Sequence, residues 1–205
     1  MKFRLFPQET AGLELLASMA QQSALGVQTL SEMFGARRGD YAQLVDALIA
    51  NDARCTELSR TLLTQLRTSF VNPLPREDLL ILSESLSATT GHLVAVGELM
   101  QLHGIERLPS EAADLLGILG REAELTVVAM RSLPRLEELE DYWTDIVRLA
   151  RRAEHTYRVW SATALRELSI AHFARTVEVA RALTDAVRSL QAVAVHVGRI
   201  IVRES

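Results

Sequence analysis

The sequence predicts an all-α protein built from six long helices. Apolar residues recur at spacings of three and four through most of the chain, the period of one helix face. The five prolines and ten glycines fall mostly where those periodic runs stop and start. No stretch alternates apolar and polar residues long enough to read as a strand. The β-branched run VAVHVGRIIV continues the pattern of ALTDAVRSLQAV and therefore reads as helix.

Each element has its own signals. Pro7 precedes a first helix of roughly Gln8 to Phe34, with Leu13, Leu16, Ala20, Val27 and Leu30 on one side. Gly35 suits the position after its C-terminus, and GARRGD forms the turn. Asp40 is placed to cap a second helix reaching about Phe70, whose stripe is Leu44, Leu48, Asn51, Cys55, Leu58, Leu62 and Leu66. Pro75 suits the first turn of a third helix, since its missing N–H would be unpaired there. Glu77 and Asp78 then fall where the helix dipole favours negative charge. This helix runs to about His103, with Gly104 after it. Ser110 caps a fourth helix ending near Ser132, Pro134 opens a fifth reaching about Leu168, and a sixth spans about Ala171 to Arg203.

Composition narrows the class. Apolar residues make up 48% and charged residues 23%, enough to build a sizeable core. The net charge of −4 gives no pull towards nucleic acid. Lys2 is the only lysine, so the many arginines reflect a compositional bias and no single Arg is evidence for anion binding. Cys55 is the only cysteine, which excludes an intrachain disulfide and a Cys-based zinc site. No uninterrupted apolar run approaches a membrane span, and the opening MKFRLFPQET lacks the apolar core of a signal peptide. These features lead one to expect a cytoplasmic protein, with no nucleic-acid partner.

The two halves repeat the order of helices and breaks. NDARCTELSRTLLTQL and RRAEHTYRVWSATALREL align with Ala53 on Ala153 and Thr56 on Thr156. One domain of residues 1–205 is expected, made of two three-helix repeats at about 8–103 and 110–203.

With its opening MKFRLFP and its second corner FVNPLPREDL, such a chain resembles the PhoU-like proteins, in particular the branch described as Pit accessory or phosphate-transport regulators (domain of unknown function family 47). That corner commonly reads F-I-T-P-F-D-R-E-D-I in the branch. Phe70, Pro73, Arg76, Glu77 and Asp78 match it, while Pro75 stands where the branch has Asp. The resemblance implies a PhoU-like helical bundle and a non-enzymatic accessory or regulatory role in inorganic phosphate uptake. The partner would be a membrane phosphate transporter or a regulatory protein on the cytoplasmic side.

The resemblance also implies carboxylate pairs, four residues apart on the inner helices, that surround metal ions. Here the aligned positions are Ala50 and Arg54, Ser87 and Gly91 (with Ala88), Ala150 and Glu154, and Thr184 and Arg188. Only Glu154 keeps a carboxylate. Asp52 and Asp185 become candidates if the register shifts. The expectation is a protein without metal or other cofactor, its grooves filled by small side chains and by Arg54, Arg152 or Arg188 paired with carboxylates. A metal-binding PhoU-like protein and a helical interaction module unrelated to phosphate are the alternatives.

No other chemistry stands out. His92, His103, His155, His172 and His196 form no H-x-x-x-H pair. Cys55 lies on an apolar stripe and reads as core. There is no phosphate loop and no G-x-S-x-G. Tyr142, Trp143, Tyr157 and Trp160 cluster on the fifth helix; Tyr142, Trp143 and Trp160 are the expected docking surface, for a homodimer contact or a partner.

Overall fold

The computed structural model describes residues 10–69 and 72–204. Within them the chain is an all-α bundle of six helices without strands: α1 (Ala11–Gly35), α2 (Tyr41–Thr68), α3 (Arg76–His103), α4 (Ser110–Ser132), α5 (Glu140–Glu167) and α6 (Ile170–Glu204). The helices α1, α2 and α3 pack on one another, as do α4, α5 and α6; α1 faces α4 and α3 faces α6. The opening segment and Phe70 lie outside the described residues.

The stripe read on α1 is buried, and that on α2 is buried except at Leu44 and Asn51, which are half-buried. Leu16, Met19, Leu30 and Met33 of α1 are sealed from solvent, as are Leu79, Leu82 and Leu86 of α3 and Val179, Leu183 and Leu190 of α6. Each such side chain contributes about 1.5–3 kcal/mol through removal from water. α3 is long and apolar enough, by length and composition, to cross a membrane. Its position accounts for that composition: it packs against α1, α2 and α6, so apolar residues are needed around much of its circumference.

Four helix starts differ in detail from the sequence reading; Pro75 stands just before α3 rather than in its first turn. Asp40 stands before α2, but its side chain makes no capping bond; it belongs to a 3-10 turn, Arg38–Asp40. Pro109, not Ser110, occupies the position before α4, and the Ser110 hydroxyl bonds to Glu111. Pro134 does not open α5. A second 3-10 turn, Leu136–Glu138, intervenes, braced by an Arg135–Glu138 ion pair at 2.9 Å.

The corners are tied to each other. Gly104 ends α3 with φ 62°, and its N–H reaches the carbonyls of Met100 and Gln101. Glycine is suited to this left-handed turn, because a Cβ there is strained. A Cβ would also lie 2.8 Å from Nη2 of Arg38, whose guanidinium lies over the turn. Next to it the buried Tyr41 hydroxyl donates to the Ile105 carbonyl at 3.0 Å. The first corner is thus fastened to the connection between the halves. Elsewhere helix approach is close: a Cβ on Gly26 would meet Leu93 Cδ1 at 2.7 Å and Asn51 Nδ2 at 3.0 Å. The same Asn51 Nδ2 donates to the Gln22 carbonyl at 2.7 Å, binding α2 to α1.

Candidate functional site

The corner motif divides once folded. Glu77 is exposed, in the first turn of α3, and Arg76 Nη2 donates to the Ser69 carbonyl at 2.7 Å, closing the turn around Pro73. Asp78 points inward and is 2% exposed. Its Oδ1 lies 2.9 Å from Nε2 of His196, itself 6% exposed, and its Oδ2 accepts from Nη2 of Arg203. A carboxylate only accepts, so Nε2 of His196 carries the hydrogen. Both acidic oxygens are therefore satisfied by α6. His196 Nδ1 is buried with no hydrogen-bond partner among the described residues. The sequence reading gave Asp78 a role in the helix dipole alone; its main partners lie on the last helix.

The positions where the family resemblance calls for carboxylate pairs fall in different places. Ala50 and Arg54 are exposed on α2, and Arg54 lines a cleft with Glu14 and Arg131 on the far side from α3. Asp52 faces α3, where its Oδ1 accepts from the Thr90 hydroxyl at 2.6 Å. On the other side, Ala88 of α3 and Asp185 and Arg188 of α6 share a groove of about 390 Å³ with Glu84 and His92. Arg188 is paired on the α5 side and within its own helix: Nε donates to Glu154 Oε1 at 2.8 Å and Nη1 to Asp185 Oδ1 at 2.8 Å. Two of the three candidate ligands, Glu154 and Asp185, are thus already paired with a guanidinium that stays protonated. Arg152 is exposed on α5 and joins no such pair among the described residues. No group of three or more His, Cys, Asp or Glu side chains converges as a metal site among the described residues.

The aromatic surface expected on α5 is corrected. Tyr142 and Trp160 are buried, because they fall on the face that α4 and α6 cover; only Trp143 remains, 43% exposed. The Tyr142 hydroxyl lies 3.1 Å from that of Thr126 on α4. Trp143 instead forms one wall of a cleft of about 680 Å³ against the C-terminal turns of α6.

Glu122 escaped the sequence reading. It is fully buried on α4, and neither carboxyl oxygen has a hydrogen-bond partner among the described residues. Burial pushes its carboxyl up to about 9, so it is uncharged at neutral pH. Burial, with some help from Glu122, pushes Tyr142 up as well. The signal was present: Leu115, Leu119, Glu122 and Thr126 are spaced as one buried stripe. Cys55 is sealed in the core and burial pushes its thiol up, the opposite of what a nucleophile needs.

Large apolar side chains are exposed together at the corner between α5 and α6: Leu165, Leu168 and, at 86%, Ile170. The connection between α3 and α4 lies beside it, sharing a cleft from Arg107 to Thr176. Compared with known proteins, the chain matches no family model and no curated protein.

Proposed function

We propose that the protein is a non-enzymatic accessory or regulatory component of inorganic phosphate transport, acting by contact between its helices and a membrane transporter or regulatory partner on the cytoplasmic side. The observation that carries contact as its mode of action is the α5–α6 corner. Leu165, Leu168 and Ile170 fall within six residues of chain and stand in solvent, a local concentration of exposed large apolar side chains that suits contact with a partner. The tie to phosphate rests on the corner residues Pro73, Arg76, Glu77 and Asp78, together with Phe70. The two three-helix units support the reading of two repeats. The pairing of Arg188 with Glu154 and Asp185 supports the reading that this chain has given up the family's clustered ions for ion pairs.

The test uses a strain lacking the gene, complemented with the parent chain or with a Leu165→Ser, Ile170→Ser variant. Phosphate uptake should change on deletion and be restored by the parent chain only, and a phosphate transporter should copurify from membranes with the parent chain only. Unchanged uptake on deletion overturns the phosphate assignment. Full rescue by the variant overturns the corner as the contact surface.

A further inference from the structure

The cleft beside Trp143 is built like a small-molecule site. Its floor is Gly198, where a Cβ would lie 3.0 Å from Trp143 Cδ1, so the indole lies close against the α6 backbone. Val195, Arg199 and Val202 stand at i, i+4 and i+7 on α6 and share one face of the cleft. At about 680 Å³ it falls within the usual range for ligand pockets, about 300–1,000 Å³.

Its charged groups have unequal freedom. Arg203 is held by Asp78 and lies 3.6 Å from Glu204. Arg199 makes no ion pair or side-chain hydrogen bond among the described residues. A guanidinium beside an apolar wall is suited to a carboxylate, which it grips with two parallel N–H groups. Glu140 on the α5 side disfavours a second negative charge.

We propose that this cleft binds a small amphipathic monoanion, a carboxylate with an aliphatic body, with its head on Arg199 and its body along Trp143, Val195 and Val202. The corner motif reaches the cleft only through Asp78, which holds Arg203, and the apolar α5–α6 corner takes no part, so the site does not depend on the phosphate assignment. It would make the protein responsive to a metabolite as well as to its partner.

Decanoate is the probe, and decanol is its uncharged counterpart. Tryptophan emission reports binding, because Trp143 borders the cleft and Trp160 is buried elsewhere. Decanoate should change the emission saturably at a Kd below about 1 mM, and Trp143→Phe should remove the response. Arg199→Gln should weaken decanoate at least about tenfold and leave decanol unchanged, as loss of a charge-assisted pair requires. Gly198→Leu should abolish the binding of both. Each variant is first checked for parental helicity and Tm. Equal affinity for decanoate and decanol, or decanoate binding indifferent to Arg199→Gln, overturns the proposal. So does a dimer in sedimentation that Trp143→Glu dissociates, since a second copy would then be the occupant.

Discussion

Asp78 and His196 meet inside the bundle, carboxylate to imidazole at 2.9 Å, although 118 residues separate them. With Arg203 they fasten the N-terminal turn of α3 to the C-terminal turns of α6. The contact lies where α3 packs on α6, so it ties the third helix to the last. Asp78→Ala should cost about 2–4 kcal/mol, because it strands a buried histidine as well as deleting its own bonds. Asp78→Asn keeps the shape and one acceptor and should cost less. Urea unfolding of both variants checks the order.

Glu122 should make stability fall as pH rises. Its carboxyl titrates at about 9 when folded, against 4.5 as the ordinary value. The folded chain therefore holds a proton that the unfolded chain releases first. The native state is undisturbed by this group below about pH 4.5 and loses stability progressively as pH rises towards 9. At pH 7 the loss is about 1–3 kcal/mol, allowing for relaxation around the site. Glu122→Gln should flatten the pH dependence, and Glu122→Met, close in volume and apolar, should raise stability at pH 8. Unfolding at pH 5, 7 and 9 measures the difference; a Glu122→Gln curve parallel to the parent's refutes the assignment.

Gly26→Ala should destabilise although alanine favours a helix by about 1 kcal/mol. The new methyl would sit 2.7 Å from Leu93 Cδ1 and 3.0 Å from Asn51 Nδ2. Leu93 can turn away, but Asn51 is held by its bond to Gln22. A net cost of about 1–2 kcal/mol is expected from overpacking. Gly91→Ala serves as the control, since a Cβ there meets nothing within 4 Å; it should stabilise by a few tenths of a kcal/mol to about 1.

Arg188→Ala should change stability by under about 1 kcal/mol, because its partners are a third exposed and the arginine half exposed. It should free the carboxylates of Glu154 and Asp185 from their shared guanidinium. Manganese titration followed by calorimetry should then show weak millimolar uptake that the parent chain lacks. Equal uptake by both would mean that Arg188 does not block cations there.

The sequence made the helices legible because their signals are local. Leucine spacing in α2 and the glycine after His103 each act within one or two turns. The start of α5 was misplaced for the same reason. Pro134 suits a helix start, but the chain spends five more residues on Leu136–Glu138 and its flanks, a choice made by packing and the Arg135–Glu138 pair. The site was harder to read because it is made of long-range contacts. Asp78 looked like a residue placed for the helix dipole, and nothing near it in the chain points to His196 or Arg203. Tyr142 and Trp160 were grouped with Trp143 by sequence proximity, yet their positions around α5 decide which are covered. Glu122 and His196 were legible in principle, as polar residues set in apolar stripes.

The seam between α3 and α6 also sets a schedule. As the chain is made, α3 emerges with Asp78 ready to turn inward, but Arg203 follows 125 residues later. At about 5–20 residues per second, that interval is about 6–25 s. During it, the face of α3 that α6 will cover is bare, and Asp78 lacks the two partners that α6 supplies. Until α6 arrives, nothing else in the chain can complete that face, so the fold closes only when its last helix is made.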